Sequence, residues 1–193
     1  MFSLEPAQIR RLLGAVNLRS PFGQRDYLLI LFLYETGLRV GECSALTIGQ
    51  VYTKKGQARE WLHLTASCCK RYRGRVVPLN RVAQVCVEKL VKFNLQRGFS
   101  VAPEAPLFCH RKHGFLSVRS IQKLIKEYRE TADLDLLATP HTLRHSMATS
   151  MLDCGGAVTS VQKILGHRKL SSTQRYTHTS RSSMQRDSAK LGG

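Results

Sequence analysis

Seven consecutive residues, Tyr27 to Leu33, are apolar or aromatic, with Pro21-Phe22-Gly23 just before them and Gly37 just after. The spacing predicts a helix over 25–36 that is apolar almost all round. Such a helix has no face to give to water, so other elements must sheathe it on every side. The run is too short for a bilayer, and the chain holds no apolar stretch of about 18 residues or more. A chain of 193 residues can supply the sheath, since one domain of that size buries roughly 70% of the surface its unfolded chain exposes. The fold is therefore constrained to a packed domain built around one central helix.

The sheath is legible in outline. Ser3-Leu4-Glu5-Pro6 opens a first helix, with Ser3 as the expected cap and Ile9, Leu12, Leu13 and Val16 as its apolar stripe. A short helix begins near Arg39 and carries Val40, Cys43 and Leu46. Residues 48–79 change period: Val51, then Trp61 to Thr65, then Val76-Val77 read as short strands joined by basic turns. The helical period returns from Val82 to about Gln96 and again near 117–131. Thr139-Pro140 is a helix start, with Thr as cap and Pro at the first position. That helix runs to about Cys154-Gly155-Gly156, and another from about Thr159 to Leu165 is stopped by Gly166. The expected fold class is α+β, mostly α with a small antiparallel β-sheet, in a single domain over 1–193.

Charge points to the partner. The chain has 30 Lys+Arg against 13 Asp+Glu, a formal net charge of +17. A folded, strongly cationic protein favours polyanions, nucleic acid above all, over small neutral substrates. Residues 54–81 hold eight Lys/Arg against one acid, and residues 136–186 hold seven against one, so phosphates are expected there. No cationic-then-apolar leader opens the chain, so the expected compartment is cytosolic or nuclear, with the cytoplasm preferred. In that compartment Cys43, Cys68, Cys69, Cys86, Cys109 and Cys154 read as reduced, buried or half-buried thiols. Cys109-His110 with His113 has no second ligand pair to match it, so no structural zinc is expected.

The last third holds the chemistry. His141 and Arg144 stand three apart, on one face of a helix and within its first turn, where free N–H groups and the helix dipole favour an anion. Leu165-Gly166-His167 ends the next helix, and Tyr176 follows nine residues after His167. Upstream, Thr36-Gly37-Leu38-Arg39 places another guanidinium at a helix start, and Lys70 stands eight residues before Pro78.

Taken in order, these segments resemble the tyrosine recombinases (phage integrase family). The likeness rests on Thr36-Gly37-Leu38-Arg39 with Glu42, Lys70 ahead of Val76-Val77-Pro78-Leu79, and His141-Thr-Leu-Arg144-His145. It continues through Leu165-Gly166-His167 and Arg175-Tyr176-Thr177-His178, and so covers residues 3 to 179. The resemblance implies that Tyr176 attacks a DNA phosphodiester to give a 3′-phosphotyrosyl enzyme and a free 5′-hydroxyl. A free Tyr has a pKa of about 10, so its phenol needs help at neutral pH. His141 is implied as acceptor of that proton. Arg39 and Arg144 are implied to hold the non-bridging oxygens, His167 to add a hydrogen bond, and Lys70 to protonate the departing oxygen. Arg71, Arg73, Arg168 and Lys169 are expected phosphate contacts, and His145 is assigned to packing. No Gly-x-x-x-x-Gly-Lys loop and no convergent carboxylate cluster are present, so neither ATP nor a metal or other cofactor is expected.

The resemblance further implies a double-stranded DNA partner, a tetramer on paired sites, a monomer or weak oligomer without DNA, and no membrane partner. Bound to DNA, the protein would be nucleoid-associated. Two departures stand out. Where family members carry an acid after the first arginine's helix, this chain reads Ile48-Gly49-Gln50-Val51. The catalytic domain's first helix is expected from residue 3, with no DNA-gripping helical domain ahead of it. The tail, about 180–193, is expected to dock on a neighbouring protomer. Two other functions use similar parts: a type IB topoisomerase shares the Arg/Lys/Arg/His/Tyr chemistry, and a non-catalytic DNA-binding regulator could share the fold.

Overall fold

The computed structural model describes residues 3–64, 74–112, 114–134 and 138–166. Helix α1 is Pro6–Gly14 and α2 is Gly23–Thr36, followed by two short helices, α3 at Val40–Ser44 and α4 at Ile48–Val51. Strands β1 (Trp61–Leu64) and β2 (Arg75–Pro78) lead to α5 (Arg81–Gln96), α6 (Val118–Thr131), α7 (Pro140–Asp153) and α8 (Val158–Leu165). The expected class is what is found.

Helix α2 lies at the centre, with Leu29, Ile30, Phe32 and Leu33 fully buried. Helices α5 and α7 pack against it, and α6 braces α1, α3 and α7. Asn80 caps α5 by accepting the Ala83 N–H at 2.8 Å, Ser117 caps α6, and Thr139 caps α7. The strands pair antiparallel, with Leu62 opposite Val77, both buried against the helices. Strand β2 also packs on α8, which brings the sheet to the end of the molecule where α2 and α8 stop. Among the described residues no helix is long and apolar enough to cross a membrane.

Three expectations need correction. Val51 is not in a strand but closes the one-turn helix α4. The Gln50 side chain there accepts the Thr47 N–H at 3.0 Å, and a reciprocal cap of this kind favours a helical turn over a strand. Gly49 in that turn lies so close to the 103–105 loop that an added Cβ would stand 2.9 Å from Pro103. The cap of α1 is Glu5, not Ser3, because the Gln8 side chain accepts the Glu5 N–H at 2.9 Å. The chain just ahead is strapped to α7 instead, with the Leu4 N–H donating to Ser146 Oγ at 2.7 Å. Finally, Cys154 is exposed, while Cys43, Cys86 and Cys109 are buried free thiols. Burial pushes the Cys86 thiol up to about 12 and Cys43 higher still, so these two are packing groups rather than nucleophiles. Cys68, Cys69 and His113 lie outside the described residues.

Candidate active site

The site assembles where four helix ends meet. Thr139 Oγ1 accepts the Thr142 N–H at 3.1 Å, and Pro140 fills the first helical position. This fixes the first turn of α7 and sends His141 and Arg144 from one face of it. Arg144 is only 3% exposed. Its Nη1 donates to the Gly37 carbonyl and its Nη2 to the Leu165 carbonyl. Those carbonyls belong to the C-terminal ends of α2 and α8, whose last oxygens have no partner within the helix and carry the negative pole of its dipole. One guanidinium therefore satisfies two helix ends at once. Both helices stop in the left-handed conformation, Gly37 at φ 60° and Gly166 at φ 62°, which glycine adopts without a Cβ penalty.

Arg39 arrives from the other side as the cap of α3. Its backbone N–H donates to Glu42 Oε2 at 2.8 Å and its Nη1 to Oε1 at 3.0 Å. Glu42, itself 3% exposed, also receives a two-pronged contact from Arg75, Nη1 to Oε1 at 2.6 Å and Nη2 to Oε2 at 2.7 Å. Burial by itself would raise the Glu42 pKa. The hydrogen bonds and charge of Arg75, followed by those of Arg39, outweigh it and hold the carboxyl at about 2. Arg75 Nε further donates to the Ile164 carbonyl at 2.7 Å, so a β2 residue ties α3 to the end of α8. Its chain runs so close to Gly166 that a Cβ there would meet Arg75 Cδ at 2.8 Å.

His141 closes the cleft. Its Nε2 lies 2.6 Å from His145 Nε2, with the two rings edge to face at 4.1 Å. In such a pair one ring nitrogen must donate and the other accept, so at most one of the two carries that proton. His145 is therefore more than packing: it is buried, as expected, and also fixes the neighbouring ring. Burial, then the charge of Arg144 and that of Arg39, lower the His141 pKa below its ordinary value, which keeps the ring neutral and able to accept a proton near pH 7. Arg39, Val40, Pro140, His141 and Arg144 line a cleft of about 300 Å³. Two guanidiniums and a neutral imidazole facing one cleft are suited to an oxyanion with a proton to be removed beside it.

The structure thus brings together Arg39, His141 and Arg144 from segments about a hundred residues apart in sequence. Lys70, Arg71, Arg73, His167, Arg168, Lys169 and Tyr176 lie outside the described residues. Glu42 and Arg75 also take part in holding the site. Glu42 was legible, because Arg39-x-x-Glu42 has the spacing of a reciprocal helix cap. Arg75 was not, because its partners lie 33 and 89 residues away. Among the described residues no group of three or more His, Cys, Asp or Glu could hold a metal ion.

Known proteins place this arrangement. The model of the phage integrase family matches residues 3–183. A tyrosine recombinase XerC of Anoxybacillus flavithermus is 33% identical over 186 residues, covering 92% of this chain and 58% of the relative. The chain therefore spans little more than half the length of that relative. A crystal structure of XerA recombinase superposes with a TM-score of 0.77 at 25% identity, covering 99% of this chain and 64% of that one. The catalytic domain of bacteriophage HP1 integrase shares the fold, with a TM-score of 0.63 at 23% identity, and covers 98% of this chain and 94% of that domain. With a family model matched along nearly its whole length and the arginine–histidine cleft those motifs encode, the chain belongs to the phage integrase family.

Proposed function

We propose that this chain is the catalytic part of a site-specific DNA recombinase that cuts and rejoins strands through a 3′-phosphotyrosyl intermediate. The observation that carries this reading is the cleft itself, where Arg39 and Arg144 are each held by acceptors of the protein and His141 is kept neutral between them. A guanidinium already anchored on one edge does not have to be reordered when a phosphate arrives, which favours the charge that grows on its oxygens during attack.

In the reaction, the Tyr176 oxygen attacks phosphorus as its proton passes to His141. The 5′-oxygen of the next nucleotide leaves with a proton from Lys70, while Arg39, Arg144 and His167 hold the non-bridging oxygens. The phosphodiester is exchanged for a phosphotyrosyl ester of similar energy, so attack by a 5′-hydroxyl reverses the step without ATP, a metal or another cofactor. Arg71, Arg73, Arg168 and Lys169 contact flanking phosphates. The working unit is a tetramer on paired duplex sites, with monomers or weak oligomers in its absence. The chain forms one catalytic domain whose tail, about 180–193, docks on a neighbouring protomer, and the protein acts in the cytoplasm at the nucleoid.

The test is incubation with nicked duplexes carrying candidate sites, followed by denaturing electrophoresis. A protein–DNA adduct is expected for the wild-type chain and for K123A/K126A, and none for Y176F. An adduct that survives in Y176F would assign the nucleophile elsewhere. Relaxation of supercoils at any sequence without pairing of sites would instead identify a topoisomerase.

A further inference from the structure

A second cationic site stands at the other end of α2. Phe22, the residue before that helix, has three guanidiniums around its ring: Arg25 at 4.6 Å from the centroid, Arg97 at 5.1 Å and Arg111 at 5.3 Å. The three have different circumstances. Arg25 is buried, paired with Asp26 and bonded through Nη1 to the Cys109 carbonyl at 2.7 Å. Asp26 is engaged a second time by the Tyr128 hydroxyl at 2.9 Å. Arg97 and Arg111 are exposed, and among the described residues neither makes an ion pair or side-chain hydrogen bond.

The platform beneath them is built rather than incidental. Phe93, Phe99 and Cys109 form a small separate core on which Phe22 packs. The Phe99 N–H donates to the Asn94 carbonyl at 2.9 Å, which fixes the turn after Arg97. The His110 N–H donates to the Gly114 carbonyl at 2.9 Å beside Arg111 and Lys112, and Arg25 anchors the residue before His110 through the Cys109 carbonyl. A guanidinium held near an aromatic ring by cation–π attraction keeps its five N–H donors for other acceptors. Two such forks with no acceptor among the described residues match phosphate oxygens in geometry and charge.

We propose that Arg97 and Arg111, seated on Phe22, grip the phosphate backbone of the DNA duplex at a point remote from the cleft. The inference rests on the reading that this chain binds duplex DNA. Helix α2 has 14 residues, and at about 1.5 Å per residue the Phe22 platform lies roughly 20 Å along it from Gly37 and Arg144. That distance equals about six phosphate spacings on one strand. The site therefore adds a non-specific hold on flanking duplex, independent of the phosphate that is cut. An acidic protein surface is the other polyanion such forks could take, and the duplex is favoured because a strand held at the cleft covers that distance within about six phosphates.

The experiment is the salt dependence of affinity for a mixed-sequence duplex of about 40 base pairs, measured for the wild-type chain, R97Q/R111Q and K123A/K126A. Glutamine keeps an apolar stem over Phe22 while removing the charge. Losing two phosphate contacts should reduce the slope of log K against log salt by about 1.8, which is roughly a twelvefold change in relative affinity across a fourfold salt range. K123A/K126A removes the same formal charge from exposed α6 positions and should leave the slope close to wild type. A wild-type slope in R97Q/R111Q, or an equal drop in K123A/K126A, overturns the site and points to a protein partner or to the general field. If the wild-type chain fails to bind the duplex, the DNA reading falls and this inference with it. Binding with an unaltered slope strikes this inference alone.

Discussion

The two arginines of the cleft are held in opposite ways. Arg39 is held from within its own helix by a carboxylate, Glu42, which Arg75 shares. Arg144 is held across the fold by carbonyls of two other helices. The first arrangement brings a negative charge close to the cleft, and one carboxylate then serves two cations. In the second the described contacts are with backbone dipoles, which carry no net charge. Placement on the Arg39 side is thus tied to ionisation of one acid, and on the Arg144 side to the shape of two helix ends. They should fail under different insults.

Removing the acid should be the most damaging. In E42Q the charge of Arg75 stays in place beside a neutral amide, and breaking one partner of a buried pair costs about 3–5 kcal/mol. Urea unfolding should show a loss of that order, and a midpoint within error of wild type would mean that Glu42 is not what holds this side. The same group sets a pH window. Its folded pKa, about 2, lies below the ordinary 4.5. The stability it contributes is therefore complete above pH 4.5 and is lost as pH falls toward 2. By linkage the total is roughly 3 kcal/mol. Comparing wild type with E42Q at about pH 5 and pH 3 isolates it, because other carboxylates titrate in both proteins. The gap between the two should narrow on acidification. The carbonyl contacts of Arg144 do not titrate, so they contribute nothing to that narrowing.

The Arg144 side should fail through its glycines. G37A and G166A each force a left-handed residue to carry a Cβ, at about 1–2 kcal/mol. Their neighbours separate them. At Gly37 the added carbon would meet the tip of Met147, which can swing away. At Gly166 it would meet the chain of Arg75, tethered at its head by Glu42 and Ile164. G166A should therefore lose more stability than G37A and also disturb Arg39, visible as a larger fall in single-turnover cleavage. Equal losses would show that the two sides are not linked through Arg75.

What the sequence disclosed follows the same division. The central helix, the Thr139-Pro140 start and the Gly37 and Gly166 stops were legible because each depends on residues within a few positions. Arg39, His141 and Arg144 were marked by motif. Val51 misled because a β-branched residue between basic turns looks like a strand, and the Thr47–Gln50 cap that decides otherwise is a weak signal. The anchors of Arg144 were hidden, since backbone carbonyls carry no residue type that could announce them. In the sequence Arg75 is one of eight Lys/Arg in residues 54–81, and nothing local distinguishes a guanidinium that reaches Glu42 from one that faces water.

The smallest expected effect tests how unequally the two arginines act on His141. Burial and both guanidiniums depress its pKa, Arg144 more than Arg39. The ring should therefore titrate below 6.5, and the folding stability it contributes should be present above that pH and decline as pH falls through the lowered value. Following the imidazole C–H resonances by NMR reads this without any requirement for activity. In R39Q, burial and Arg144 remain, so the pKa should rise only slightly and stay below 6.5. H145F removes the ring partner but none of those causes, so His141 should keep a lowered pKa while cleavage slows through a less well fixed ring. If R39Q restores the ordinary value, Arg39 acts on His141 at least as strongly as Arg144 despite the Glu42 carboxylate beside it. If only H145F moves the pKa, the hydrogen bond between the rings outweighs both arginines.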